Sequence, residues 1–408
     1  MLEFLRDNRR WLGAGFLLTF ASGFGQTWFI SLFAEFIKQA HGLSDGGWGS
    51  LYTAATLSTA ALMFWRGGLA DSIPLARLAP ATMALFAAAA LGLAFAQNLW
   101  LLGLAVFGLR LAGQGMCSHL AMTAMGRWFE ARRGRAVAIA NLGHPAGEVV
   151  LPVLAVLAMA AIGWRATWVL AAILLLVAAA PGLAALLGTE RAPAGTNASA
   201  ARPGLGGRHW RRADAARHWL APALLPVLLT PGFIGTVIFF QPAHVAHVKG
   251  WSLLAMAPGY TAFAGANVVA AFIAGWAADR FGPHRLLHLF LLPMGAGIAV
   301  IGPAEAVGAW YLALGGIGVT LGMSSALWGV LLPTVYGTQN LGAIRSLATT
   351  IMVISTAIGP GLTGLLIDQG IDFPSQSLVM GGWCLCLALA STWTMRRLSR
   401  ELAVADTR

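Results

Sequence analysis

Residues 66–77 read Arg66-Gly67-Gly68-Leu69-Ala70-Asp71-Ser72-Ile73-Pro74-Leu75-Ala76-Arg77, a short charged turn between two long apolar runs. Gly67 stands four residues before Asp71, a Gly-x-x-x-Asp step flanked by Arg66 and Arg77. The same step returns at Gly275 and Asp279, followed by Arg280, Gly282 and Arg285. The two aspartates lie 279 − 71 = 208 residues apart in a chain of 408. A charged hairpin recurring at half the chain length points to a duplicated architecture.

The runs on either side of these hairpins set the class of protein. The chain is 58% hydrophobic and 10% charged, whereas a soluble domain carries about 25% charged residues. Runs of the length a spanning helix needs, roughly 20 apolar residues, fall near 11–37, 47–67, 78–97, 99–125, 136–161, 166–188, 219–247, 252–277, 286–303, 308–335, 345–367 and 377–395. Only helices or closed barrels span lipid, and these runs are too long and too continuously apolar for barrel strands. The expectation is an all-α membrane protein with twelve transmembrane helices.

The net charge of +11 invites a nucleic-acid reading, but the placement of the charge argues against one. With both termini on one side, the loops of that side hold 22 of the 26 Lys and Arg residues, the opposite loops hold Lys38, Arg165 and Lys249, and Arg110 lies inside a span. The positive-inside rule then puts both termini in the cytoplasm of, we expect, a bacterial inner membrane. Cys117, Cys384 and Cys386 all fall in spans and make no disulfide or metal pattern. No Walker-type phosphate loop occurs, and the His, Asp and Glu residues show no catalytic or metal spacing. Neither a cofactor nor an enzymatic role is expected.

Residues 189–217 are rich in Ala, Gly, Pro and Arg and read as a flexible cytoplasmic linker between halves 1–188 and 218–408. The halves overlay: Gly23-Phe24 on Gly232-Phe233, Tyr52-Thr53 on Tyr260-Thr261, and Arg135 on Arg345. Six helices separate the copies, so they are parallel repeats, two six-helix bundles about an axis along the membrane normal.

On the two loop motifs, the twelve spans and the central linker, the chain resembles the major facilitator superfamily. The second loop, Gly275 to Arg285, is the better match, since the first has Ser72 where Arg is usual. The segment Arg127-Trp-Phe-Glu-Ala-Arg-Arg-Gly-Arg-Ala136, running into Gly143 and Gly147, is similar to the monocarboxylate and oxalate/formate branch. The superfamily resemblance implies a cytoplasmic gate built from Gly67, Asp71 and Arg77 and from Gly275, Asp279, Arg280 and Arg285. It also implies that the first, fourth, seventh and tenth spans line a cavity, which nominates Gln26, Gln241, His244, Ser324 and Trp328 as substrate contacts. Monocarboxylate transporters usually carry an Asp/Arg pair in the eighth span; here that span has no charge.

An ionisable group in a span is a functional hypothesis by default. Arg110 lies in the fourth span and Glu148 in the fifth. Antiparallel neighbours joined near 126–135 reach equal depth when their numbers sum to about 261. Arg110 and Glu148 sum to 258, an offset of about three residues or ~4.5 Å. Gln114 follows Arg110 by four residues and shares its α-helical face, while Asn141, His144 and Glu148 form one stripe. Two readings stay open: a static Arg110–Glu148 pair that fixes packing, or a cavity-facing cluster. In the second, Arg110 binds an anion with Gln114 and Asn141, and Glu148 or His144 exchanges a proton. The resembling superfamily often carries a similar Arg followed by Gln-Gly in this helix. Here Arg110-Leu-Ala-Gly-Gln114-Gly115 is one residue longer than that spacing.

The function expected is secondary active transport of a small organic anion, a monocarboxylate being one case, by alternating access with proton symport. The chain would act as a monomer in the lipid bilayer with no nucleic-acid partner. The alternatives are proton-driven efflux of hydrophobic compounds and a non-transporting membrane sensor.

Overall fold

The computed structural model describes residues 2–66, 73–129, 133–188 and 203–406. We number the principal helices in chain order. The first, α1 (2–41), is a broken run: an α-helix Leu2–Ala21, a 3-10 turn Ser22–Gly25, then Thr27–Ile30, a second 3-10 turn Ser31–Phe33, and Ala34–His41. After it come α2 (Asp45–Arg66) and α3 (Leu75–Ala94). In α4 (99–128), helices Leu99–Leu109 and Ser118–Trp128 flank a π-helical stretch Arg110–Cys117. Next are α5 (133–162) and α6 (164–186). The later series is α7 (220–249), α8 (253–281), α9 (Leu292–Ala299), α10 (Gly308–Tyr336), α11 (Leu341–Asp368) and α12 (Phe373–Asp406).

Local chemistry sets several of these ends. The Asn98 side chain accepts from Leu101 N–H at 2.9 Å and caps α4, and Ser252 caps α8 in the same way from Ala255 N–H at 3.1 Å. At the far end of α8 the chain turns on Gly282 at φ +85°, a region costly for any residue with a Cβ.

Among the described residues nine helices are long and apolar enough to cross a membrane, ten if the bent pair Glu3–Gly25 and Thr27–His41 forms one span. Two of the expected twelve fall outside this set. Helix α2 is 22 residues long, but its Gly, Ser and Thr content dilutes its hydropathy. The expected helix over 286–303 is instead a 3-10 turn Pro283–Leu286, irregular turns, and the eight-residue α9. Proline explains the break: Pro293 lacks the N–H that a continuous helix over 286–303 would use, and it stands instead in the first turn of α9.

By internal contacts the chain forms two compact units, Met1–Asn197 with Pro360–Asp368, and Ala198–Gly359 with Gln369–Arg408. In the first, α1 packs on α4, α5 and α6, and α3 packs on α4 and α6. Phe29, Phe33 and Trp168 make an aromatic knot, with Trp168 centred 5.4 and 4.9 Å from the two phenyl rings. The last turns of α11 lie against α2, where the Asp368 carboxylate accepts from Ser44 Oγ at 2.8 Å and Gly46 N–H at 3.0 Å. A negative group there suits the positive end of the helix.

The second unit is built on α10. Its Gly318 and Gly322 let α8 pass backbone to backbone at Phe263 and Asn267, and Gly316 does the same for the first turn of α9 at Pro293. This unit also corrects the reading of 189–217 as a flexible linker. Of that stretch 203–217 is described, and it is folded: a 3-10 turn Leu205–Gly207, a short helix Arg212–Arg217, and between them Trp210, only 9% exposed. A tryptophan in a polar segment finds ring partners and leaves solvent.

Candidate functional site

The break in α1 creates the polar centre of the first unit. The 3-10 turn Ser22–Gly25 hands over to Gln26 in extended conformation (φ −78°, ψ 153°) before Thr27 restarts the helix. A break of this kind leaves carbonyls without helical donors. Arg110 answers one of them, donating from Nη1 to Gly25 O at 3.1 Å and to Thr27 Oγ1 at 3.3 Å. Its guanidinium also lies over the Tyr52 ring, 5.1 Å from the centroid, and Tyr52 in turn donates to Thr27 Oγ1 at 2.9 Å. Arg110 is 1% exposed, and its Nε has no hydrogen-bond partner among the described residues.

Such proximity requires glycine on both chains. A Cβ on Gly113 would lie 2.6 Å from Gly25 Cα and 2.8 Å from the Phe86 ring, and one on Gly25 would strike Leu109 O. The π-helical stretch is what delivers Gly113 to that contact. It also undoes the expected partnership of Arg110 with Gln114. In a π-turn the hydrogen bonds run i→i+5, so residues four apart no longer stack. Arg110 is buried and Gln114 is exposed.

The first of the two readings, a static Arg110–Glu148 pair, is not what forms. Among the described residues no ion pair joins Arg110 to Glu148. Glu148 lies half-buried on α5, one turn beyond His144. His144 connects three helices instead: its Nδ1 lies 3.3 Å from Ser22 Oγ on α1, and its Nε2 lies 3.5 Å from Ser118 Oγ on α4. Gly143 makes this possible, since a Cβ there would collide with Thr19 Oγ1 and the backbone of Phe16 and Phe20. Thr19 Oγ1 ties the same crossing by donating to Ala140 O. Asn141, expected on the stripe with His144 and Glu148, is exposed: the helix is interrupted at Leu142 between Asn141 and Gly143, and the stripe loses phase there.

In the second unit Gln241 is 3% exposed and ends the helix Leu220–Phe240, where Pro242 interrupts α7. His244 stands within electrostatic reach of Asp372, in the turn before α12. The Asp372 carboxyl is held below the usual carboxylate range by Ser375, whose N–H it accepts at 2.9 Å, and by the nearby His244 and Lys249. Trp328 packs edge-on against Phe290 with centroids 5.7 Å apart, and Ser324 is half-buried.

The expected gate is seen in part. Gly67, Asp71 and the Asp279 side chain lie outside the described residues. Arg77 is exposed in the first turn of α3. Arg280 is exposed over Trp276 and Phe281, at 5.6 and 5.7 Å from their centroids, and Arg285 is exposed beyond Gly282. Among the described residues, no atom would lie within 4 Å of a Cβ at Gly275.

Ser22, Thr27, Tyr52 and Ser118 complete the two polar clusters and were not singled out as site residues from sequence. Tyr52 alone carried a signal, its recurrence at Tyr260.

Comparison with known proteins agrees with this frame. Residues 15–360 match the family model of the Major Facilitator Superfamily. The human protein monocarboxylate transporter 11 is 27% identical over 299 residues, which is 71% of this chain and 62% of that protein's length. A bacterial homologue of the human lysosomal transporter Spinster, solved in an inward-facing, unoccupied conformation, superposes with TM-score 0.69 at 17% identity over 98% of this chain and 95% of its own. Its inward-facing, occupied form gives 0.62 at 17% identity over 96% and 94%.

Proposed function

Because the chain belongs to the Major Facilitator Superfamily and is therefore a membrane transporter, we propose that it carries a small organic anion by proton-coupled alternating access. The observation that supports this most is the state of Arg110. It is a buried guanidinium inside a span, and among the described residues one of its nitrogens has no partner and no carboxylate is paired to it. An uncompensated cation in that setting is costly, and an anionic substrate would supply the missing charge. The break of α1 at Gln26 is the place where backbone can open toward such a ligand.

In this reading Arg110 is the counter-charge, with Gln26, Gln114, Asn141, Gln241, His244, Ser324 and Trp328 as the wider set of contacts. Glu148 and His144 exchange the proton; Ser22 and Ser118 fix the imidazole between them. Halves 1–188 and 218–408 move about the site, the Gly67–Arg77 and Gly275–Arg285 loops gate the cytoplasmic face, and both termini lie in the cytoplasm of a bacterial inner membrane. The monomer suffices, and a monocarboxylate is the first substrate class to try.

The test is uptake into proteoliposomes under an imposed pH gradient, across a panel of carboxylates. Arg110→Ala is expected to abolish uptake and Glu148→Gln to uncouple it from the gradient; undiminished, gradient-driven uptake by both would end the mechanism. One observation favours the efflux alternative: an open apolar groove of about 590 Å³ on the surface of the second unit, lined by Leu229, Phe233, Ile354, Ile358, Met380 and Trp383 among others, of which Ile354, Ile358 and Trp383 are exposed. Export of hydrophobic dyes that ignores Arg110→Ala would decide for that reading.

A further inference from the structure

The folded segment ahead of α7 is a strap with two faces. One is fixed to the second unit. Trp210 stacks edge-on with His218 and Tyr336, centroids 4.8 and 5.4 Å away, and its carbonyl accepts from Asn340 Nδ2 at 2.9 Å. Its indole N–H donates to Leu205 O at 3.2 Å. Gly204 presses on the end of α10, where a Cβ would meet Gly337 N at 2.5 Å. The other face is cationic. Arg208, Arg211, Arg212 and Arg217 are all exposed, and Asp214, the one acid of 203–218, accepts from Arg211 N–H at 3.2 Å to cap the short helix. The strap therefore presents 4 − 1 = +3 charges.

Its surroundings fix what it faces. The strap ends at His218, one residue before Trp219 and the spanning helix Leu220–Phe240. Trp219 and the 57% exposed Trp393 of α12 meet edge to face at 5.8 Å, and the Arg397 guanidinium lies 4.0 Å from the first ring and 5.5 Å from the second. Glu401 is engaged within the unit, accepting from Trp219 Nε1 at 3.1 Å and pairing with Arg397 at 3.4 Å. Tryptophans of this kind mark the depth of the headgroups. At that depth an arginine cluster held on a folded, anchored segment meets phosphodiesters.

We infer that the strap Gly204–His218 is a docking surface for anionic phospholipid headgroups of the cytoplasmic leaflet. The inference rests on the orientation proposed above. Basic residues beside a spanning helix attract such lipids, the attraction falling off within a Debye length. Neutralising one arginine should weaken binding about fivefold, the factor that corresponds to about 1 kcal/mol per basic residue.

The experiment uses the full-length protein in detergent, titrated with phosphatidylglycerol, phosphatidylcholine or inorganic phosphate while the thermal midpoint is followed. Phosphatidylglycerol is expected to raise the midpoint, and 0.5 M salt to erase the gain. Arg208→Gln, Arg212→Gln and Arg217→Gln together should remove most of the response without lowering the lipid-free midpoint. Trp210→Ala, which frees the strap while keeping its arginines, should blunt the response as well. An equal rise with phosphatidylcholine, with phosphate alone, or in the triple variant overturns the proposal. Labelling of Ala216→Cys by an impermeant maleimide in inside-out and right-side-out vesicles reports the side separately. Reaction in right-side-out vesicles would overturn the orientation and the proposal together. Reaction in inside-out vesicles with no phosphatidylglycerol response would overturn the proposal alone.

Discussion

Tyr52 and Tyr260 hold equivalent places in the two halves, 208 residues apart, and are buried to the same degree. Tyr52 carries a cation over its ring and a hydroxyl bond to Thr27. Tyr260 stacks flat on Phe239 at 5.9 Å, and Phe239 meets Phe263 edge-on at 4.9 Å. The positions 208 to 210 beyond Arg110 are Gly318, Val319 and Thr320, none of them charged. At Gly318 the room a side chain would need is filled by the backbone of α8. Duplication supplied the scaffold twice. Among the described residues the first copy holds a buried cation at this level, and the second fills its equivalent position by packing.

The largest effect should come from breaking the charged copy. Arg110→Lys keeps the charge but cannot serve the Gly25 carbonyl and Thr27 with the same planar fork. Uptake is expected to fall roughly 10- to 100-fold, since charge-assisted hydrogen bonds are worth about 1.5–3 kcal/mol. A lysine variant with full uptake would mean that Arg110 only braces the α1 break. On the packed side, Gly318→Ala should destabilise by about 1–3 kcal/mol through overpacking, seen in the thermal midpoint, with uptake per folded molecule unchanged. If uptake per folded molecule falls instead, the second unit takes part at this level and the contrast fails.

Smaller effects sharpen the comparison. Tyr52→Phe removes the hydroxyl bond to Thr27, a loss of about 1 kcal/mol, and should lower anion affinity. Tyr260→Phe preserves the stack on Phe239 and should leave affinity alone. The smallest effect is a pH response confined to the second unit. Burial lowers the His218 pKa, with Arg397 acting in the same direction and Glu401 against it. A histidine with a depressed folded pKa stabilises above its ordinary range, and that contribution is lost as pH falls from about 6.5 toward the folded value. Hydrogen-exchange protection at 203–218, taken relative to the intrinsic rate at each pH, should therefore fall on acidification, and the response should vanish in His218→Gln.

Much of the scaffold was legible because it depends on composition and recurrence. Apolar runs, loop charges and the 208-residue repeat are properties of the string itself. Arg110, His144 and Glu148 stood out for the same reason, as ionisable groups in apolar spans. Their true partners did not stand out, because Ser22, Thr27 and Ser118 are ordinary residues for a membrane helix, where hydroxyls can bond back to their own chain. Thr19 and Ser22 also do so here, to Phe16 O and Thr19 O. Trp210 carries no such signal: its polar, Gly-rich surroundings suggest a linker, and the Tyr336 ring that organises the segment lies far off in sequence. Hydropathy over 286–303 does not register the N–H group missing at Pro293.

The π-helical turn at Arg110–Cys117 has a consequence for how such a chain can change. A residue inserted into an α-helix rotates everything beyond it by about 100°. A wider turn takes up the surplus locally, so both ends of the span keep their outward and inward faces. Arg110 to Gln114 is one residue longer than the spacing that the superfamily resemblance implies, and the surplus falls where the helix widens. Deleting Ala112 would then be a milder lesion than its buried position suggests: the turn could tighten to α and bring Gln114 round beneath Arg110. Length, in the middle of this helix, is a variable the fold can absorb.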